Sequence, residues 1–205
     1  MVVWSPRGGA RAGSVPLLVV HDGPEYSRRA SLRRLLEPFQ PLRVALLHSN
    51  DRNEHYSASA RYARTLAEEI LPELGPASRR VGLGCSLGGL ALIHAHRRYP
   101  DAFDAIVAQS PSLFRRRTDR QEAGFPRFAR IARFVGTLLN TEAWHSPIPV
   151  TITCGVDEEN LANNRAAAGA LERQGYPLRF HEVPGGHDWR SWRRALDLYL
   201  PEVLA

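Results

Sequence analysis

Apolar and polar positions fall in blocks along this chain. Short continuous apolar runs recur at Val2-Val3-Trp4, Leu17-Leu18-Val19-Val20 and Val44-Ala45-Leu46-Leu47, and again near residues 80–85, 103–108, 148–154 and 178–183. Runs of this length bounded by polar or Gly/Pro clusters are the pattern of strands buried on both faces. Between them the spacing turns helical. Residues 27–37 are predicted to form a helix stopped by Pro38, and 58–71 an amphipathic helix with Tyr62, Leu66 and Ile70 on one stripe. Further helices are expected over 87 to about 98, 160–174 and 189–199. Gly8 to Gly13 reads as a turn. The least regular part is 113–145, an arginine run followed by a helix carrying Phe128, Ile131, Val135 and Leu138. Strands alternating with helices imply an α/β fold with a mostly parallel sheet and helices on both faces.

Each apolar run ends in a polar cluster: His21-Asp22-Gly23-Pro24-Glu25-Tyr26, then His48 through Tyr56, Gln109-Ser110-Pro111-Ser112, and Cys154-Gly155-Val156-Asp157-Glu158-Glu159. Ligands of open α/β sheets bind at the carboxyl ends of the strands, where these clusters lie. A chain of 205 residues is long enough for one well-filled core, so residues 1–205 are expected to form a single domain.

Composition changes that picture little. All 27 basic residues are arginine against 21 acidic ones, giving a net charge of +6 and a pI near 10. A basic pI can mark a polyanion binder. Here the arginines are spread as pairs, with Arg115-Arg116-Arg117 the single run, and no aromatic-interleaved basic stripe appears. Solvated helix faces are therefore expected, with no nucleic-acid partner. Cys85 and Cys154 sit at strand ends without the spacing of a disulfide framework, which suits buried free thiols in a reducing compartment. The first residues lack the charged and apolar regions of a signal peptide, and no apolar run approaches 18 residues. A cytoplasmic protein with no membrane partner is the expectation.

The chemistry centres on Gly84-Cys85-Ser86-Leu87-Gly88. An apolar strand leads in and a helical stretch leads out, the context of a nucleophile elbow, in which a strained turn lifts the serine Oγ above the sheet edge. Small residues two positions either side are a steric requirement of that turn. A serine hydroxyl needs a base within hydrogen-bond reach and an acid to orient the base. In the α/β-hydrolase order the acid follows the serine and the histidine comes last. His187, in a Gly-Gly-His-Asp-Trp loop after the final strand, fits the base. His145 precedes a strand and His181 lies within one, so both read as structural or surface residues. For the acid, Glu158 is preferred over its neighbour Asp157, the alternative if the strand end is bulged by one residue. The oxyanion hole should use the N–H of Leu87, next to the nucleophile at a helix start. A second donor should come from the turn after the first core strand. Pro24 has no N–H, which leaves Gly23 or Glu25, with Gly23 placed first. Tyr26 and Trp189 are candidates for the pocket edge.

Together with Arg52 through Tyr56, Tyr99 through Phe103, Asn164-Arg165 and Trp192-Arg193, these segments resemble the "Putative esterase" family of α/β-hydrolases, nearest to the catalytic domain of enterochelin (ferric enterobactin) esterases. The likeness runs over nearly the whole chain. It implies an α/β-hydrolase fold, no metal or organic cofactor in catalysis, a Ser86–His187 pair oriented by Glu158, and Arg52 at the substrate site. The partner implied is a small-molecule ester, with ferric siderophores among the candidates. Two departures stand out: the cap region, 113–145, is short, and proline occupies position 24. The family pattern also occurs in feruloyl and acetylxylan esterases, thioester hydrolases and mycolyltransferases. A serine ester hydrolase is thus expected, with an acyltransferase or a non-catalytic binding module as the competing readings.

Overall fold

The computed structural model describes residues 2–4, 13–39 and 41–204. The elements are, in chain order, β1 (Val2–Trp4), β2 (Leu17–Val20), α1 (Gly23–Arg29), α2 (Leu32–Leu36), β3 (Arg43–Leu46), α3 (Arg52–His55) and α4 (Ala60–Thr65). Helix α4 runs through a π-helical stretch, Leu66–Ile70, into α5 (Leu71–Glu73). Then come β4 (Arg80–Cys85), α6 (Leu87–Arg98), β5 (Ala105–Gln109), α7 (Phe128–Asn140), β6 (Val150–Gly155), α8 (Leu161–Arg173), β7 (Leu178–Val183) and α9 (Trp189–Leu204). Apart from Gly13, the expected Gly8–Gly13 turn lies outside the described residues.

The strands form one seven-stranded sheet in the order β1-β3-β2-β4-β5-β6-β7. Among the described residues only the β1–β3 pair is antiparallel; the other five neighbour pairs are parallel. All four residues of β2 and all five of β5 are buried, as sequences apolar on both faces require. Two apolar clusters result, one on each side of the sheet. The larger gathers Leu66, Leu90, Leu92, Ile131 and Leu171 from the helices of one face. The smaller places Tyr26, Leu32 and Leu36 with Trp192, Leu196 and Leu200 on the other.

Three local expectations are corrected. The stretch after β2 is not an open polar turn: α1 begins at Gly23, with Pro24 in its first turn, where a missing N–H leaves no bond unmade. The single helix over 27–37 is two, broken where Ser31 takes φ 51°. The last helix continues past residue 199 to Leu204 through Pro201, with Leu200 and Val203 buried against the smaller cluster.

Candidate active site

The turn between β4 and α6 has the geometry its glycines permit. Ser86 takes φ 54° and ψ −123°, outside the common regions for a side-chain-bearing residue. A Cβ on Gly84 would lie 2.6 Å from the Gly88 carbonyl carbon, and one on Gly88 would lie 3.2 Å from His21 Cβ. The chain can therefore fold back on itself only with glycine at 84. His21 braces the turn from behind. Its Nδ1 donates to the Gly88 carbonyl at 3.0 Å, and its Nε2 accepts from Tyr62 Oη at 2.9 Å. Complete burial lowers its pKa to about 4, so the ring is neutral, as this pairing requires.

His187 arrives on the loop after β7 and Glu158 on the loop after β6. Asp157 donates its N–H to the Gly185 carbonyl at 3.1 Å, and a Cβ on Gly155 would strike that same oxygen, so the two loops are in close contact. His187 Nε2 lies 3.0 Å from Ser86 Oγ and Nδ1 lies 2.7 Å from Glu158 Oε2. The Glu158 side chain is 1 % exposed. Burial pushes its carboxyl pKa up, but hydrogen bonds from His187, Ser110 and the Gly155 N–H outweigh burial and hold it below the usual carboxylate value. An ionised carboxylate can only accept, so Nδ1 carries the histidine proton and Nε2 is left to accept from the serine. Asp157, exposed on the same loop, makes no bond to His187.

The sequence pattern did not single out Ser110 and Ser112 as separate contributors. Ser110, at φ 45°, donates to Glu158 Oε1 at 2.5 Å and accepts from Trp192 Nε1 at 2.9 Å. Ser112 Oγ lies 3.1 Å from Ser86 Oγ. Their position after β5, beside the elbow strand in the sheet, was the available signal.

The remaining expected residues divide. The Leu87 N–H opens α6 with no intrahelical partner, as first-turn amides must. Gly23 is corrected: its N–H donates to the Leu47 carbonyl at 2.9 Å and is committed to the neighbouring chain segment. Of the two alternatives, Glu25 is left. Tyr26 is also corrected, since it is 0 % exposed and its hydroxyl donates to Gln109 Oε1 at 2.8 Å; it has no surface to offer a substrate. Trp189 packs edge-to-face on Tyr26 and Trp192. Arg52 does not wall the cleft; its Nε and Nη2 hold the Asp22 carboxylate at 2.9–3.0 Å. The cleft over Ser86 measures about 440 Å³, and Ser112, Phe114, Glu122, Asp157, Glu159 and Asn160 join Ser86, Glu158 and His187 in its wall. Among the described residues, no three His, Cys, Asp or Glu side chains converge as a metal site, and no helix is long and apolar enough to cross a membrane.

A seven-stranded, mostly parallel sheet with a strained serine between β4 and α6 defines the class as α/β-hydrolase. The chain belongs to the family described as "Putative esterase", whose model matches residues 2–203. It is similar to an Iron(III) enterobactin esterase of Escherichia coli, 27% identical over 225 residues that cover 97% of this chain and 54% of the relative. The chain thus spans about half the length of the curated relatives it matches. Its fold matches the enterobactin esterase FES from Shigella flexneri, solved in the presence of enterobactin, at a TM-score of 0.75 and 20% identity, over 98% of this chain and 53% of that one. It also matches a Staphylococcus aureus fluorophosphonate-binding serine hydrolase at a TM-score of 0.72 and 18% identity, over 99% and 91% of the two chains. At such identities these structures bear on fold alone.

Proposed function

We propose that the protein hydrolyses carboxylic esters of small molecules through an acyl-enzyme on Ser86. The observation that carries this reading is the unbroken hydrogen-bond chain from Ser86 Oγ through His187 to the buried Glu158. In the proposed reaction Ser86 Oγ attacks the ester carbonyl carbon while its proton passes to His187 Nε2. Glu158 holds the imidazole in the accepting tautomer and stabilises the imidazolium that forms. The oxyanion is met by the N–H of Leu87 and, with Gly23 committed elsewhere, the N–H of Glu25. Collapse releases the alcohol, which takes the proton from Nε2, and water repeats the sequence to free the acid.

The cleft wall bears on the substrate class. Glu122, Asp157 and Glu159 face it with no arginine among the lining residues. A carboxylate-lined wall disfavours a tri-anionic ferric catecholate, because like charges across a partly desolvated cleft repel. Neutral or cationic esters therefore fit better than an intact ferric siderophore. The buried free thiols Cys85 and Cys154 support a reducing compartment such as the cytoplasm.

The test is covalent labelling of Ser86 by a fluorophosphonate, joined to a hydrolysis panel of p-nitrophenyl, feruloyl and acetyl-sugar esters and ferric enterobactin. Labelling at Ser86 with activity on uncharged esters is expected. A folded protein that stays unlabelled, or a Ser86→Ala variant with full activity, would overturn the reading.

A further inference from the structure

A second cavity is larger than the cleft over Ser86. It measures about 650 Å³ and opens between α4, α6 and α7. At about 1.5 Å of rise per residue, His94 in its wall lies roughly 12 Å along α6 from the serine. Its lining holds five arginines against one glutamate, Glu54. That glutamate is already neutralised by Arg130 and by Arg127 from outside the cavity, at 2.7 and 2.5 Å.

The five arginines fall into two groups. Arg97 and Arg130 are built into the wall. Arg97 stacks on Trp144 at 3.8 Å and bonds Gln174 and Thr141, while Arg130 bonds the Ser57 and Glu54 carbonyls. Arg61, Arg98 and Arg133 are exposed at the mouth, and among the described residues none of their guanidinium groups has a hydrogen bond or an ion pair. They come from three different helices, α4, α6 and α7, and converge on one concavity, which distinguishes them from a solvated helix face. Between them His94 is 7 % exposed, rests edge-on against Phe134, and its ring has no hydrogen-bond partner among the described residues. Unpaired cations around a low-dielectric concavity focus a positive potential. A multivalent anion would relieve their mutual repulsion and supply an acceptor for the imidazole.

We propose that this cavity is a second binding site, separate from the cleft over Ser86, for a small polyanion carrying a diphosphate group, gripped by Arg61, Arg98 and Arg133 with His94 behind them. Guanidinium forks match phosphate oxygens bidentately, and a diphosphate has oxygens enough to engage all three. The site stands or falls apart from the reading of Ser86, because it shares no lining residue with that cleft.

Calorimetric titration with inorganic pyrophosphate, ADP, orthophosphate and citrate tests it, with Arg98→Gln, Arg133→Gln and the control pair Arg116→Gln/Arg117→Gln. Saturable one-site binding of pyrophosphate or ADP is expected, each cavity substitution weakening it about tenfold, as the loss of a charged hydrogen bond implies, while the control pair leaves it unchanged. Pyrophosphate equal to or tighter than ADP assigns the site to the free anion; tighter ADP assigns it to a nucleoside carrier. Burial, with Arg98 and Arg130 nearby, lowers the His94 pKa to about 4, and a bound anion should raise its titration midpoint in imidazole NMR. No saturable binding, tighter binding of citrate than of pyrophosphate, or equal weakening by the control pair would overturn the proposal.

Discussion

The two concavities of this molecule differ in sign and in how their charged groups are held. In the Ser86 cleft the one carboxylate bonded to His187, Glu158, is buried and hydrogen-bonded at both oxygens, while Glu122, Asp157 and Glu159 stand around it without ion partners among the described residues. In the cavity between α4, α6 and α7 two arginines are built into the wall and three more stand unpaired at the mouth. Both use the same device: fixed charges behind, free charges in front. The hydrogen-bonded Ser86–His187–Glu158 chain lies at the smaller concavity and not at the larger one.

The sharpest way to break this contrast is along the hydrogen-bond chain from Ser86 to the buried charge. Ser86→Ala should reduce kcat by about 10⁴-fold or more without unfolding the protein, read with a p-nitrophenyl ester and circular dichroism. Glu158→Gln should come next, at about 10³–10⁴-fold, because an amide cannot hold the same histidine tautomer, whereas Asp157→Asn should cost less than about threefold. The reverse order would move the acid to Asp157. Removing the Ser110 hydroxyl (Ser110→Ala) should lower kcat by about tenfold, with a shifted acid limb in the pH–rate profile, since it takes one of two hydrogen bonds from Glu158 Oε1. The free charges should act on specificity instead. Asp157→Asn with Glu159→Gln should raise kcat/KM for anionic esters a few-fold at low salt and leave neutral esters unchanged, with the gain fading as salt rises.

A stability measurement tests the buried histidines. His21, His94 and His96 each have a folded-state pKa near 4 because burial penalises the imidazolium. The unfolded chain binds those protons first, so stability is fully present above about pH 6.5 and is lost as pH falls toward 4. His21 alone accounts for about 3 kcal/mol over that window. Tm should therefore drop steeply between pH 6.5 and 4, and less steeply in a His21→Gln variant.

Much of the fold, and the meeting of three residues of the candidate site, are legible in the order of the amino acids. The spans 80–85 and 178–183 are strands and 87–98 is a helix, because apolar runs bounded by polar or small residues leave few alternatives. Ser86, His187 and Glu158 meet because their loops all follow strands at one edge of the sheet. What the order of amino acids did not carry is the hydrogen bonding between segments distant in sequence. The commitment of the Gly23 N–H to Leu47, the Tyr26 hydroxyl to Gln109 and the Arg52 fork to Asp22 each depends on how β2, β3 and β5 lie side by side. Periodicity says which residues are inside, but not which partner a polar atom finds there.

The bond from Trp192 Nε1 to Ser110 Oγ gives the site an optical handle. The indole also meets the His187 ring edge-on, with centroids 5.0 Å apart. In the proposed acyl-enzyme reaction an imidazolium formed there would quench the indole, so Trp192 emission would follow the proton on His187. With Trp4, Trp144 and Trp189 replaced by phenylalanine, a stopped-flow trace would time the proton's arrival and departure without a chromogenic ester.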